Sequence, residues 1–195
     1  FIGNLAECPA LPGKHNHQNA AAAYAACRAL GVEHGVIMAG LKSFPGLPHR
    51  LETVGTIDGV RFVNDSKATN AQAAEQALKA FKNVYWIAGG VPKAEGIEPL
   101  APLFPNIAKA YLIGAAEDAF ATTLKGKVAL QKCGTLENAV ASALRDAKAA
   151  GEEGAIVLLS PACASFDQFR DFEHRGDVFR SIVQSMMPAE LKVMA

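Results

Sequence analysis

The chain has 195 residues, half of them hydrophobic, and its 19 basic residues are balanced by 19 acidic ones. A chain of this length can bury a sizeable core, so the composition indicates a globular protein. The balanced charge and the lack of a basic run give no support to a nucleic-acid partner or an anionic membrane surface. No apolar stretch approaches the roughly 20 residues that a membrane span needs, and no basic-then-apolar leader is present. We therefore expect a cytoplasmic protein without a membrane partner.

Cysteine and histidine spacing gives no sign of a metal site. The cysteines lie far apart and form no C-x-x-C pair, at Cys8, Cys27, Cys133 and Cys163. This spacing argues against zinc and against a disulfide framework, and it predicts reduced thiols. The histidines also lack ligand spacing, so we assign no metal ligand in this chain.

Two helices are predicted before a break near residue 44. An alanine-rich run up to residue 30 predicts the first helix, with Asn16 as its N-cap and Gly31 as its stop. The second is expected at about 33–43. Prolines and a glycine in the segment 44–50 interrupt any helix and place a domain boundary at 44–45. The chain starts with Phe rather than Met, and we expect it to be a fragment of a longer protein.

From residue 45 onward the pattern is that of alternating strands and helices. Two β-prone runs flank Asp58-Gly59, the signal for a type I′ turn, and predict one antiparallel hairpin strand. Continuous apolar strands then alternate with amphipathic helices, which favours a mainly parallel sheet covered on both faces. The fold class is therefore α/β, a doubly wound, Rossmann-like sheet, followed by a tail at 188–195. Strands are predicted at 52–57, 60–63, 84–88, 108–113, 127–130 and 155–159, and helices at 71–80, 99–103, 117–124 and 136–149.

The segment Val63–Asn70 joins a predicted strand to a predicted helix and is rich in charged and hydroxyl groups. In open α/β sheets, ligands collect at the carboxyl ends of strands, and the free N–H groups of the next helix favour an anion. Asp65 suits ribose hydroxyls and Lys67 suits a phosphate or carboxylate. Thr69 either caps the helix or contacts substrate. The alternative interpretation is a capped helix start with a surface ion pair.

Two more polar loops follow predicted parallel strands. One comes after strand 84–88 and contains Lys93; the other, 160–169, contains Ser160 and Ser165. Because parallel strands deliver such loops to one edge of a sheet, we expect all three loops to converge on one crevice. Lys93 there suits a carboxylate or phosphate, although a solvated lysine is the commoner case. A serine hydrolase is disfavoured because no G-x-S-x-G motif is present.

A nucleotide is the second ligand that the residues suggest. In His49-Arg50, an imidazole suits a base and a guanidinium suits phosphate oxygens. The alternative is a hinge residue followed by a surface arginine. Asn16 and Asn19 suit hydrogen bonds to an adenine, unless Asn16 only caps its helix. The missing G-x-G-x-x-G motif weakens a dehydrogenase interpretation.

The order of these segments resembles the Mur ligases of peptidoglycan synthesis. The loop at 160–169, with Phe172 and Arg175-Gly176 after it, resembles the members that add D-glutamate to UDP-N-acetylmuramoyl-L-alanine. The resemblance implies a three-domain enzyme, of which this chain holds the end of the central ATPase domain (1–44) and the C-terminal domain (45–187). The matching segments are Gly13–Asn16 with Asn19, Phe44–Glu52, Asn64–Asn70 and Ser160–Phe169.

The resemblance also implies an ATP-dependent ligase in which D-glutamate attacks an acyl phosphate, with a monomer expected. No G-x-x-x-x-G-K-[ST] loop occurs here, so we expect the Mg²⁺ ligands upstream and the chain alone to be inactive. By resemblance, the catalytic residue is Lys67, the nucleotide contacts are Asn16, Asn19, His49, Arg50 and Asp65, and the D-glutamate contacts are Thr69, Lys93, Ser165, Phe166 and the backbone at Phe172.

Three alternatives remain open. A sibling ligase that adds diaminopimelate or lysine should carry an Asp-Asn-Pro-Arg segment, and none occurs. Folylpolyglutamate synthases share the fold and the ATP chemistry but should lack the serine-rich loop. The third alternative is a nucleotide-binding module without chemistry of its own.

Overall fold

The computed structural model describes residues 5–8 and 10–188. The chain divides into two units, the first ending at Leu47 and the second beginning at Pro48. The boundary predicted at 44–45 lies three residues earlier, and the identity of the units as parts of two enzyme domains stays a prediction. Apart from Pro188, the predicted tail lies outside the described residues. Within the described residues, none of the helices is both long and apolar enough to cross a bilayer.

The first unit contains the two expected helices. Gly31, with φ of 84°, follows the end of the first helix as predicted. The prediction that Asn16 caps this helix was wrong, because the helix begins two residues earlier with Gly13 at the N-cap. The Asn16 amide instead donates to the Pro12 carbonyl at 2.9 Å. The unit comprises a 3-10 turn (Leu5–Glu7), α1 (Lys14–Ala29) and α2 (His34–Ser43).

The second unit is built on a six-stranded sheet with the order β1-β2-β7-β3-β5-β6. All neighbours in it pair in parallel except β1 with β2. This confirms the predicted α/β class with one antiparallel hairpin strand. The strands of this sheet are β1 (Glu52–Ile57), β2 (Val60–Asn64), β3 (Val84–Gly89), β5 (Ile107–Ile113), β6 (Leu130–Gly134) and β7 (Ile156–Leu159). Two short strands, β4 (Val91–Pro92) and β8 (Cys163–Ala164), form a separate two-stranded sheet. The helices are α3 (Ala71–Ala80), α4 (Glu117–Leu124), α5 (Leu136–Ala150) and α6 (Phe172–Met186), with 3-10 segments at Glu98–Asn106 and Gly114–Ala116.

The sheet carries a hydrophobic core on each face because successive strand residues point in opposite directions. In β3, Trp86 packs on the face covered by α3 and α4, whereas Tyr85 and Ile87 pack on the face covered by α5 and α6. At the hairpin, Asp58 and Gly59 both have positive φ, 50° and 82°, as a type I′ turn requires. Both faces of the sheet are thus covered, as the continuous apolar strands predicted.

Strand β6 begins later than the sequence predicted, whereas α3 has the predicted bounds and its cap decides between the two alternatives for Thr69. The strand predicted at 127–130 runs instead from Leu130, because the chain first folds back on α4 through an N–H bond from Lys127 to the Leu124 carbonyl. The cap of α3 is Asn70, whose side chain accepts from the Ala73 N–H at 2.8 Å. Thr69 therefore does not cap the helix.

Candidate functional site

The three polar loops lie at one edge of the sheet. They follow β2, β7 and β3, which are consecutive neighbours in the sheet and run parallel. Main-chain hydrogen bonds join the loops directly: the Asp65 N–H donates to the Leu159 carbonyl at 2.7 Å, and the Gly89 N–H donates to the Pro161 carbonyl at 2.9 Å. The three loops that the sequence predicted to converge are therefore linked to one another by main-chain hydrogen bonds.

A short antiparallel ladder, unpredicted from the sequence, connects the second and third loops. Val91 of β4 pairs with Ala164 of β8, and Pro92 pairs with Cys163. Lys93 follows β4 and Ser165 follows β8, so the two predicted D-glutamate contacts flank the same ladder. Lys93 is exposed, whereas Ser165 is 2% exposed and its carbonyl accepts N–H bonds from the turn that follows.

Two adjacent glycines allow close backbone contacts at the end of β3, Gly89 with β5 and Gly90 with β8. A Cβ on Gly89 would lie 1.9 Å from the carbonyl oxygen of Ile113, and one on Gly90 would lie 2.2 Å from that of Ala164. Their φ angles, 132° and 126°, belong to a region that only glycine adopts readily. The Gly-Gly pair at the end of β3 is thus a packing requirement of the site.

Asp65 is an internal residue of the site. It is 7% exposed, and its carboxylate oxygens accept from the Ser160 hydroxyl at 2.8 Å and from the Leu51 N–H at 3.3 Å. Burial raises the pKa of this carboxyl to about 7, against the opposing effect of the Ser160 hydrogen bond. Both oxygens are engaged within the protein, so this geometry gives no support to a ribose contact, which stays a prediction.

His49 is also internal, while Arg50 is exposed. The His49 ring is wedged against Gly176, where a Cβ would lie 2.1 Å from Nδ1, and that nitrogen accepts from the Asn64 amide at 3.1 Å. Phe172 contacts the ring edge-on. A ring in this slot offers no open face to a base, so the predicted stacking role has no support here.

Lys67 is held over an aromatic ring. Its ammonium nitrogen lies 3.8 Å from the centroid of the Phe172 ring, a cation–π contact. The main-chain N–H of Lys67 donates to the His49 carbonyl. This bond places the Lys67 main chain beside that of His49 and thus close to Arg50. Two cations in neighbouring segments suit a polyphosphate. The Phe172 carbonyl accepts from the Ser66 hydroxyl at 2.8 Å, so only the N–H side of this backbone is left for a ligand.

The remaining predicted residues lie as follows. Thr69 is half-buried in the loop after β2, and Phe166 is 73% exposed next to Ser165. Asn16 is half-buried and Asn19 exposed on α1, in the first unit. Among residues 5–8 and 10–188, no group of three or more His, Cys, Asp or Glu side chains could hold a metal ion. The expectation that Mg²⁺ ligands lie upstream stays a prediction.

Sequence reasoning gave no role to Arg175, which the structure places at the centre of the loops. Its side chain is fully buried and donates to Ser66 and Cys163. Burial lowers the pKa of this guanidinium to about 10, so it remains charged near neutral pH. In the sequence it was named only among the residues that carry the family resemblance, one helical turn after Phe172.

Comparison with known proteins agrees with the predicted family. The family model described as Mur ligase, glutamate ligase domain, matches residues 49–163. A UDP-N-acetylmuramoylalanine–D-glutamate ligase from Caulobacter sp. strain K31 is 59% identical over 185 residues, 95% of this chain. The enzyme of the same name from Rhodospirillum rubrum is 57% identical over the same length. The chain spans 39% of the length of each of these relatives.

Solved structures give the same answer for the fold. UDP-N-acetylmuramate-alanine ligase MurC from Thermotoga maritima aligns with a TM-score of 0.60 at 17% identity, over 90% of this chain and 39% of that one. MurF from Acinetobacter baumannii aligns with a TM-score of 0.58 at 20% identity, over 88% of this chain and 38% of that one. Since the family model covers more than half of the residues, the chain belongs to the Mur ligase family.

Proposed function

We propose that this chain is the C-terminal part of an ATP-dependent ligase that adds D-glutamate to UDP-N-acetylmuramoyl-L-alanine. The observation that carries the proposal is that the loops containing Thr69, Lys93 and Ser165 meet at one edge of the sheet, with Lys93 and Ser165 at the two ends of the short ladder between β4 and β8. The identity to relatives named for this reaction supports the same substrates.

The two units correspond, in this proposal, to parts of two domains. Residues 1–44 form the end of the central ATPase domain, and 45–187 form the C-terminal domain that brings the amino acid. Asn16 and Asn19, which lie in the first unit, are proposed nucleotide contacts of that unit. His49 and Asp65 are internal, which favours a supporting role for both. In this proposal Arg50 and Lys67 are the residues that contact the nucleotide.

The amino-acid side of the site has the groups that a dicarboxylate needs. Lys93 supplies a cation, and the hydroxyls of Ser165 and Thr69 supply neutral donors. Held by both carboxylates, D-glutamate presents its amine in one direction, toward the activated carboxyl group. Fixing two reactants in this way removes much of the entropic cost of a bimolecular step.

The phosphate side relies on cations held in place before substrate binds. ATP supplies the phosphoryl group that activates the substrate carboxylate as an acyl phosphate. Lys67, fixed over Phe172, provides an ammonium for the negative charge on the transferring and departing phosphate. Arg50, in the neighbouring segment, is the second cation that we assign to that charge. A preorganised cation needs little rearrangement as charge develops, which is why such contacts are effective.

Ligation assays on a protein that joins this chain to the upstream segments of a relative test the proposal. We expect amide formation with D-glutamate and little with L-glutamate. Lys93→Ala and Ser165→Ala should raise the KM for D-glutamate at least tenfold and leave the KM for ATP within about twofold, as loss of a charge-assisted contact predicts. The matched controls are Lys125→Ala, an exposed lysine after α4, and Ser142→Ala, a buried hydroxyl on α5. Equal rises in both KM values would contradict the assigned roles.

The chain by itself gives a second test. It should bind ATP poorly and D-glutamate weakly, and it should not turn over, because half of each pocket is expected in the upstream segments. Calorimetric titration of the 195-residue chain with each ligand measures this directly. Tight binding of either ligand would contradict the assignment of the missing domains and favour an independent nucleotide-binding module.

A further inference from the structure

Arg175 is a buried cation whose hydrogen bonds go to neutral oxygens. Nε donates to the Ser66 hydroxyl at 2.9 Å, Nη2 donates to the Ser66 carbonyl at 2.8 Å, and Nη1 donates to the Cys163 carbonyl at 3.1 Å. The carboxylate whose charge acts on the Arg175 guanidinium is that of Asp167. This carboxylate is exposed and accepts from the Ala115 N–H. Burying a charge without an anion in contact is costly. Stability alone therefore gives no reason for an arginine at this position.

The guanidinium lies where the three site loops meet. It binds Ser66 in the loop after β2 and Cys163 in β8, and a Cβ on Gly90, after β3, would lie 3.3 Å from its Nη1. Each contact is close in sequence to a proposed substrate residue. Lys67 and Thr69 follow Ser66, while Ser165 and Lys93 follow the other two contacts by two and three residues.

We propose that Arg175 is a positioning residue for the amino-acid side of the site, and that its planar fork sets the spacing of the three loops that grip the dicarboxylate. This inference rests on the proposed function. A guanidinium donates in one plane and in fixed directions, so it can hold a hydroxyl and two carbonyls at set separations. A lysine keeps the charge but not this geometry, which makes Arg175→Lys the informative substitution.

The kinetic test uses the ligation-competent protein described above. Arg175→Lys should raise the KM for D-glutamate at least tenfold and the KM for ATP less than threefold, and Arg175→Gln should have a larger effect on D-glutamate. The control is Val183→Ala, a fully buried position two turns along α6, which should lower the urea midpoint and leave both KM values unchanged. If Arg175→Lys leaves the KM for D-glutamate unchanged, or raises both KM values equally, the proposal is wrong.

Hydrogen exchange of the 195-residue chain gives a readout that does not depend on catalysis. Arg175→Lys should speed exchange at least tenfold in the segments 64–69 and 163–169, and Val183→Ala should not change these segments relative to the rest of the unit. Because lysine keeps the charge, this variant remains informative even if Arg175→Gln does not fold. Unchanged exchange in both segments overturns the positioning role. A wild-type ligase that does not prefer D-glutamate overturns the proposed function instead.

Discussion

Replacing Asp65 by asparagine should make the second unit more stable than the wild-type protein at alkaline pH. Burial raises the pKa of the Asp65 carboxyl from 3.8 to about 7, so ionising it in the folded chain is unfavourable. An asparagine has nearly the same shape. Its oxygen can accept from the Leu51 N–H, and its amide can donate to the Ser160 oxygen, so both interactions survive without the charge.

The sign and the magnitude follow from linkage between proton binding and folding. The folded chain holds the Asp65 proton more tightly than the unfolded chain, where the pKa of the carboxyl is 3.8. The stabilisation that protonated Asp65 gives to the folded chain is therefore complete below about pH 4 and is lost as the pH rises through about 7. At about 1.4 kcal/mol per pKa unit, the wild-type protein should lose about 3 kcal/mol relative to Asp65→Asn between about pH 4.5 and 8.5.

The chain contains a convenient reporter for this measurement. Its single tryptophan, Trp86, is fully buried, and the indole N–H donates to the Ser160 carbonyl at 2.8 Å. Urea unfolding followed by Trp86 fluorescence at both pH values gives the two free-energy differences. Asp58→Asn is the control, because Asp58 is exposed and an Asn-Gly pair also suits its type I′ turn. A wild-type-minus-Asp65→Asn difference that changes by less than about 1 kcal/mol would refute the reasoning.

Two further predictions concern the loops. Gly90→Ala should destabilise the second unit by about 3 kcal/mol or more, because a Cβ there would meet the neighbouring strand's carbonyl at 2.2 Å. In urea unfolding, Gly126→Ala should cost only about 1 kcal/mol, since that glycine has positive φ but open space; equal losses would contradict the packing argument. Asn70→Ala should cost about 1 kcal/mol through loss of the α3 cap, and Thr69→Val less than about 0.5 kcal/mol. Comparable losses of stability at the two positions would mean that Thr69 shares in capping.

The fold was accessible from the sequence because its determinants are local or periodic. The Asp58-Gly59 signal fixed the hairpin, and the apolar runs around Trp86 and Val157 identified central strands that are buried on both faces. Strand β6 was misplaced because the turn back onto α4 depends on main-chain bonds at Lys127 that no side-chain pattern encodes. The ladder of β4 and β8 was missed for a similar reason, since two residues are too few for periodicity to show.

The site was only partly accessible. Its location followed from the rule that loops of parallel strands share an edge, and that rule needs no side-chain detail. What each side chain does at that edge depends on burial. Asp65 and His49 look like ligand contacts in the sequence, yet both are enclosed by the protein. Arg175 looks like an ordinary helix residue, and only its three-dimensional contacts show that it joins the loops.

The pairing of β4 with β8 separates the framework of this site from its selectivity. The ladder is made of main-chain bonds between Val91–Pro92 and Cys163–Ala164, so the side chains just beyond it can be exchanged without removing those bonds. Inserting one residue before Lys93 would move that position one step farther along the chain from the ladder. Redesign of the acceptor amine should therefore vary loop length as well as residue identity.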